Sequence, residues 1–322
     1  MQNYSELFLN YLQSLNIKKT PASLYEPIIY LLKIGGKRIR PILTLMATDL
    51  FDGNVEMSLP SAFSVELFHN FTLMHDDIMD DAPMRRGKQT VHEKWGVNTG
   101  ILSGDAMLVK AYQSLETYPN ELFVKLTKLL SQTAIEVCEG QQYDMHFETK
   151  IETSIEDYLK MIKLKTAVLL GCALKMGAYI SDASESESQK IYDFGVMLGM
   201  AFQIQDDYLD AFGDPNNFGK KLGGDIIENK KTILFHNALL LGSSDQIMRL
   251  KNLFEPYKKI SNEDKILSAK EIFKETGAAE ESQKLKQFYT NKAFSVLKSI
   301  TLNSDKKQKL IDFANKLMLR ED

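Results

Sequence analysis

The stretch FSVELFHNFTLMHDDIMD, residues 63–80, decides the fold. Its apolar residues lie on most sides of a helix rather than along one stripe, and such a helix is buried among other helices. It ends in the pattern Asp-Asp-x-x-Asp, formed by Asp76, Asp77 and Asp80 and called here the first acidic motif. The first and last of these carboxylates lie on one helix face. The stretch therefore predicts a central helix that carries negative charge at its C-terminal end.

The same pattern ends a second apolar stretch, IYDFGVMLGMAFQIQDDYLD, residues 191–210. We call Asp206, Asp207 and Asp210 the second acidic motif. Like charges on one helix face repel each other, and the helix dipole disfavours carboxylates at this end. One such cluster is as easily a solvated helix end as a site, but two with the same spacing favour a site. Oxygen-only ligands suit Mg²⁺ that also binds phosphate oxygens, so the pair predicts a diphosphate held between two helices.

Composition limits the class of protein. The 322 residues are 44% hydrophobic and 25% charged, with a net charge of −4, which argues against nucleic acid as a partner. No Pro/Gly/Ser-rich linker and no repeat divides the chain, so we predict a single domain over residues 1–322. Cys138 and Cys172 are too few for a disulfide framework or a zinc site. We expect a cytoplasmic protein that is not integral to a membrane.

Helix periodicity runs along the whole chain, whereas strand-like alternation bounded by hairpin turn pairs is absent. Prolines mark helix starts: Pro41 lies in the first turn of one predicted helix, and Pro60 opens the next. The segment Gly213-Asp214-Pro215 ends the helix of the second acidic motif. The sequence therefore predicts an all-α protein.

Basic motifs accompany the acidic ones, as a phosphate site requires. The segment GGKRIRP, residues 35–41, places mobile backbone and three cations directly before a helix N-terminus. Arg85 and Arg86 precede Gly87 shortly after the first acidic motif. A loop rich in Gly and Lys follows the second motif, with Lys220 and Lys230 as its candidate phosphate ligands. Lys221 is an equal candidate for the position of Lys220.

Two further polar residues interrupt apolar helices. His69 precedes Asp76 by seven residues, about two turns, and falls on the same face within about 20°. It is either a core histidine with its own partner or a contact to substrate. Lys165 either extends to solvent and pairs with an acid, or bridges the acidic clusters.

Together these motifs resemble the trans-polyprenyl diphosphate synthases, the chain-elongating prenyltransferases that make farnesyl, geranylgeranyl and related diphosphates. The resemblance runs from about Tyr25 to beyond Thr232, in the order and spacing of the family. The matching motifs are GGKRIRP at 35–41, DDIMD at 76–80, RRG at 85–87, Gly140-Gln141 with Asp144, Lys165-Thr166, FQIQDDYLD at 202–210, and the Gly-Lys and Asn-Lys pairs at 219–220 and 229–230.

The resemblance implies a fold, a metal and a set of binding residues. The fold is the isoprenoid-synthase bundle of antiparallel helices around a deep central cavity, and the protein is usually a homodimer. About three Mg²⁺ ions bind with the diphosphate. The implied metal-site residues are Asp76, Asp77, Asp80, Gln141, Asp144, Asp206, Asp207 and Asp210. The implied ligands of isopentenyl diphosphate are Lys37, Arg40, His69 and Arg86, and those of the allylic diphosphate are Arg85, Lys165 and Lys220, with Lys230 nearby.

The implied reaction begins with ionisation of the allylic C–O bond, because metal ions and cationic side chains stabilise the departing diphosphate. The double bond of isopentenyl diphosphate then attacks the allylic cation. The proton lost afterwards goes to the released diphosphate, so no protein base is required. Thr166 and Gln203 are candidates for dipolar support of the cation.

Product length depends on how deep the cavity extends along the helix before Asp76. The positions that would form its floor are Phe68, Phe71 and Thr72. By helix angle Thr72 lies within about 40° of Asp76, whereas Phe71 points further round. In the family a single aromatic residue here, with an uninterrupted acidic motif, is typical of geranylgeranyl-type (C20) enzymes. We therefore expect C20 ahead of the farnesyl (C15) product.

Two other functions remain open. A terpene cyclase of the same helical class also carries an Asp-rich motif, but it has a second metal motif of Asn/Ser/Glu type and lacks GGKRxR. A catalytically silent regulatory subunit typically loses Asp residues from these motifs, whereas both motifs are complete here.

Overall fold

Helices dominate the protein, which we describe from a computed structural model. The structure describes residues 4–17, 19–149, 153–214, 222–255, 260–302 and 304–318, without the side chains of residues 148 and 149. The α-helices are α1 Tyr4–Ser14, α2 Ala22–Ile34, α3 Ile39–Leu50, α4 Leu59–Met79, α5 Val91–Trp95, α6 Val97–Gln113, α7 Asn120–Thr149, α8 Ile155–Ile162, α9 Val168–Ile180, α10 Glu185–Phe212, α11 Gly224–Ile227, α12 Ile233–Leu241, α13 Ser244–Leu253, α14 Asn262–Glu275, α15 Ala278–Ser299 and α16 Ser304–Met318. Short 3₁₀ turns cover Val55–Ser58 and Ser114–Thr117, and a π-helical turn covers Lys163–Ala167. The all-α prediction is confirmed.

The helices α4 and α10, which carry the two acidic motifs, begin or end where proline and glycine residues predict it. Pro60 is the second residue of α4, where its missing N–H leaves no helical hydrogen bond unmade. Asp80 caps the other end, and its N–H donates to the carbonyl of Asp76 at 2.9 Å. Gly213 ends α10 directly after Phe212. Both acidic motifs thus lie in the last turns of their helices.

A short hairpin follows α4. Its strands are β1 Met84–Arg85 and β2 Lys88–Gln89, antiparallel, with Met84 opposite Gln89. Arg86 and Gly87 form the turn with φ values of 51° and 71°, the positive pair that a two-residue hairpin requires. The sequence does not predict this hairpin, because strands of two residues are too short to show alternation.

The chain divides into two compact units. One contains Met1–Gln132, Cys172–Tyr192 and Thr301–Lys306, and the other contains Thr133–Gly171, Asp193–Ile300 and Lys307–Asp322. The first unit includes the first acidic motif and the second unit includes the second. The single domain over residues 1–322 stays a prediction. Within the described ranges, no helix is both long and apolar enough to cross a membrane.

Each unit has its own apolar core. In the first, Phe68 of α4 and Leu43 of α3 are fully buried. Gly177 of α9 lies so close to α3 that a Cβ atom there would come within 2.3 Å of the Thr44 carbonyl oxygen. In the second unit, Phe235 of α12 and Phe273 of α14 belong to one buried cluster. These cores support the helices from which the site residues project.

Candidate active site

In the first acidic motif, the middle carboxylate is held by an arginine. Asp77 is only 1% exposed, and both of its oxygens accept from Nε of Arg85 at 2.9 Å. Nη2 of Arg85 lies 2.7 Å from the same carboxylate. The ion pair fixes the guanidinium of Arg85 beside the motif. Asp76 is half-buried and Asp80 is exposed one helical turn further on. Their oxygen-only donor set fits Mg²⁺.

Three of the predicted ligands of isopentenyl diphosphate come together around the glycine loop. The guanidinium of Arg86 packs on Gly36, where a Cβ atom would lie 2.5 Å from its Nη1. Gly36 also has a φ of 134°, a conformation that other residues rarely adopt. Nη1 of Arg40 lies 3.1 Å from Nε2 of His69. Lys37, the fourth, is exposed on the same loop.

Electrostatics make this cluster of cations attractive to an anion. Burial, with a smaller contribution from Arg86, lowers the pKa of Arg40 to about 10, against the opposing effect of Glu66. Burial and the neighbouring arginines, Arg40 first, hold the pKa of His69 well below its usual value. The ring is therefore neutral at pH 7 and accepts the N–H of Arg40. A bound diphosphate would offset the mutual repulsion of these cations.

Arg38, the middle cation of the GGKRIRP segment, does not join this cluster. Its guanidinium donates to the carboxylate of Glu66 and to the carbonyl of Leu32. Arg38 and Glu66 are both buried, and Asn70 donates to Glu66 at 2.6 Å. Sequence reasoning counted Arg38 as a third anion ligand and missed Glu66. The only signal was an acid inside an apolar helix. We infer that the buried pair holds the loop in place, because Arg38 itself adopts a left-handed φ of 49°.

In the second acidic motif, the middle carboxylate is again engaged by protein groups. Asp207 is buried and accepts from the hydroxyl of Tyr158 at 2.6 Å and from Nε2 of Gln203 at 2.8 Å. The amide oxygen of Gln203 accepts from Thr166 at 2.9 Å. Burial and the nearby Asp225 raise the pKa of Asp207, while the bonds from Tyr158 and Gln203 oppose that rise. The network fixes the orientation of both predicted dipolar residues, Thr166 and Gln203.

The other two carboxylates of this motif differ in exposure. Asp206 is half-buried. Asp210 is buried and accepts the backbone N–H of Asp225 at 3.1 Å, at the start of α11. Carboxylate oxygens again make up the donor set, which fits Mg²⁺.

Lys165 projects from the π-helical turn and pairs with Asp144 of α7 at 2.5 Å. The turn approaches α7 closely, because a Cβ atom on Gly140 would lie 2.2 Å from the backbone nitrogen of Lys165. On its other side a Cβ atom on Gly199 would lie 2.6 Å from Cα of Ala167. Gln141, the other predicted metal-site residue of α7, is half-buried. Lys165 thus pairs with an acid, and its bridging role stays a prediction.

The lysines of the predicted phosphate loop have different outcomes. Nζ of Lys230 lies 2.7 Å from the carboxylate of Glu228 and 3.8 Å from that of Asp225. Burial lowers the pKa of Lys230, but these two acids raise it by more. Lys220 and Lys221 lie outside the described residues, and their role stays a prediction.

The three predicted chain-length residues occupy different environments on α4. Phe68 and Phe71 are buried, with ring centroids 5.7 Å apart, and Phe71 also stacks edge-on against His75 at 4.8 Å. Thr72 is half-buried, and its hydroxyl donates to the carbonyl of His69 at 2.8 Å. Thr72 is thus the least enclosed of the three.

Residues 21–273, which include all of the site residues described above, match the polyprenyl synthetase family. The chain belongs to the polyprenyl synthetase family. The resemblance stated from the motifs is confirmed.

Several relatives in the polyprenyl synthetase family are similar over most of the chain. A short chain isoprenyl diphosphate synthase of Methanocaldococcus jannaschii is 42% identical over 252 residues, 78% of this chain and 76% of the relative. A geranylgeranyl diphosphate synthase of Methanosarcina mazei is 41% identical over 224 residues, 69% of each chain. A crystal structure of a geranylgeranyl pyrophosphate synthase matches with a TM-score of 0.95 and 47% identity, covering 100% of both chains. The predicted isoprenoid-synthase fold is confirmed.

Proposed function

We propose that this polyprenyl synthetase condenses isopentenyl diphosphate with an allylic diphosphate and releases an all-trans product, geranylgeranyl diphosphate ahead of farnesyl diphosphate. The observation that carries the proposal is the cation cluster formed by Arg40, Arg86 and the loop of Gly36. A chain elongator needs this second anion site for its second diphosphate substrate, whereas a terpene cyclase does not. Relatives named geranylgeranyl diphosphate synthases support the C20 product.

In this proposal the acidic motifs bind metal and orient the allylic substrate. Asp76, Asp80 and Asp206 would hold about three Mg²⁺ ions, which would supply Lewis-acid stabilisation of the departing diphosphate. Arg85, oriented by Asp77, neutralises charge on the same group. Lys165 is positioned by Asp144 for the same task.

The remaining polar residues act on the second substrate and the cation. Arg40, Arg86 and Lys37 bind the diphosphate of isopentenyl diphosphate, and neutral His69 keeps Arg40 in place. The side-chain dipoles of Thr166 and Gln203, fixed by hydrogen bonds, would stabilise the allylic cation. The released diphosphate takes the proton from the coupled product, so no side chain serves as a base.

The decisive experiment incubates the pure protein with labelled isopentenyl diphosphate and dimethylallyl, geranyl or farnesyl diphosphate, and then sizes the dephosphorylated products. We expect Mg²⁺-dependent label in a linear C20 alcohol. The variants Asp76→Ala and Asp206→Ala should lose at least about 100-fold of the activity. Glu121→Ala, at an exposed acid of α7, is the matched control and should keep it. Full activity in both Asp variants, or a cyclic hydrocarbon product, would contradict the proposal.

We also propose a cytoplasmic homodimer. The support for a dimer is the surface of α6, where Val97, Ile101, Leu102 and Val109 are each more than 40% exposed. Apolar side chains gathered on one helix mark a surface for association. Sedimentation equilibrium of the wild type measures the mass directly.

A further inference from the structure

His92, the second residue of α5, is a buried histidine whose ring lacks hydrogen-bond partners. Its side chain is 5% exposed, and neither ring nitrogen has a partner among the described residues. Buried polar atoms are normally satisfied, and each exception calls for a ligand or a water molecule. His92 takes no part in the proposed reaction.

Two carboxylates lie next to the ring on the side of Nε2. Asp81, which follows the first acidic motif, has Oδ1 4.0 Å away, and Glu93 has Oε1 3.8 Å away. These distances are too long for hydrogen bonds. The three candidate ligand atoms lie within 4.8 Å of one another. Three candidate ligand atoms are thus gathered at one place beside a buried imidazole.

We propose that His92, Asp81 and Glu93 bind one divalent transition-metal ion such as Zn²⁺. Imidazole nitrogen with carboxylate oxygen suits Zn²⁺ and its neighbours, whereas Mg²⁺ prefers oxygen alone. Ligand atoms around tetrahedral Zn²⁺ are about 3.3–3.5 Å apart. Asp81 and Glu93 have side chains that are 98% and 44% exposed, so they can rotate toward the ring without moving the backbone.

The position of this site gives it a structural consequence. Asp81 follows the end of α4 by two residues, and His92 is the second residue of α5. An ion bound by both would link the two ends of the loop formed by residues 81–92. That loop contains the hairpin with Arg85 and Arg86. A ligand that binds the folded state and closes this loop stabilises it by mass action.

Calorimetric titration of Zn²⁺ into chelator-treated full-length protein, in a large excess of Mg²⁺, tests the proposal. The excess Mg²⁺ occupies the oxygen-only acidic motifs. We expect one equivalent of Zn²⁺, a rise in the thermal midpoint, and Co²⁺ absorption bands of a histidine-ligated, low-coordinate site. Each of His92→Gln, Asp81→Asn and Glu93→Gln should weaken this one equivalent by at least about tenfold.

The matched control is His75→Gln. His75 is in the same unit and also lies beside an acid, with Nε2 3.9 Å from the carboxylate of Asp105. Unlike His92, it has a hydrogen-bond partner, because its Nε2 lies 3.2 Å from the carbonyl oxygen of Ile101. Zn²⁺ binding should survive its loss. If His92→Gln does not fold, the two exposed carboxylate variants decide the question. No Zn²⁺ binding under excess Mg²⁺, or binding that Asp81→Asn and Glu93→Gln leave unchanged, overturns the proposal and leaves water as the partner of His92.

Discussion

At the scale of single residues, substitutions at Thr72 and Phe71 are expected to change product length in opposite directions. Thr72 is the less enclosed of the two and lies closest in helix angle to Asp76. Thr72→Phe should raise the cavity floor and shift the product from C20 toward C15. Phe71→Ala should remove a buried ring and shift it beyond C20. Reversed-phase sizing of the dephosphorylated products measures both changes.

The control for these variants is Phe123→Ala, which removes a half-buried ring on α7, outside α4. It should leave product length unchanged. If Thr72→Phe and Phe71→Ala both give the wild-type product, α4 does not set the length.

The middle aspartate of the first motif is expected to act through Arg85 rather than through metal. Because both oxygens of Asp77 accept from Arg85, Asp77→Asn should release the guanidinium and raise KM for the allylic substrate by about tenfold. The Mg²⁺ concentration for half-maximal activity should stay unchanged. Asp76→Asn is the comparison and should raise that concentration. Equal Mg²⁺ dependence in the two variants would mean that Asp77 and Asp76 share one role.

At the scale of elements, the π-helical turn at Lys163–Ala167 packs so closely against α7 that we expect Gly140 to tolerate no larger residue. Alanine normally stabilises a helix interior relative to glycine by about 1 kcal/mol. A Cβ atom on Gly140 would instead lie 2.2 Å from the backbone of Lys165. We therefore expect Gly140→Ala to lower the free energy of unfolding by about 1–3 kcal/mol, the usual cost of overpacking. Urea denaturation measures the change.

Gln142→Ala is the matched control, since Gln142 is exposed on the same helix. Its free energy of unfolding should stay the same or rise slightly. If Gly140→Ala instead raises the free energy of unfolding, the π-helical turn shifts to make room for the added methyl group without loss of stability, and the prediction is wrong.

The elements also show what the sequence could and could not predict. The helices α4 and α10 were predictable because apolar residues, Pro60 and Gly213 mark them along the chain. The π-helical turn and the hairpin were not, because each spans too few residues for a periodic pattern. The hydrogen-bond and ion-pair partners of Asp77, Asp207 and Arg38 were not predictable either. A motif gives residue types, whereas the roles depend on Arg85, Tyr158 and Glu66, which follow from tertiary packing.

At the scale of the whole molecule, buried His236 is expected to make folding sensitive to acid. Burial and nearby Lys231 lower its pKa from 6.5 to about 4. The unfolded chain therefore binds a proton between about pH 6.5 and pH 4 while the folded protein does not, so stability falls as the pH falls through that window. The shift corresponds to about 3 kcal/mol. Below pH 4 this residue should cause no further loss.

Thermal unfolding of wild type and His236→Gln between pH 7.5 and pH 4 tests this account. His236→Gln also loses the ring contacts with Tyr158 and Phe235, so its midpoint should be lower at pH 7.5. The deciding quantity is the change with pH, which should be smaller in His236→Gln than in wild type. Parallel curves for wild type and His236→Gln would contradict this account, because a group that titrates equally in both states adds no slope.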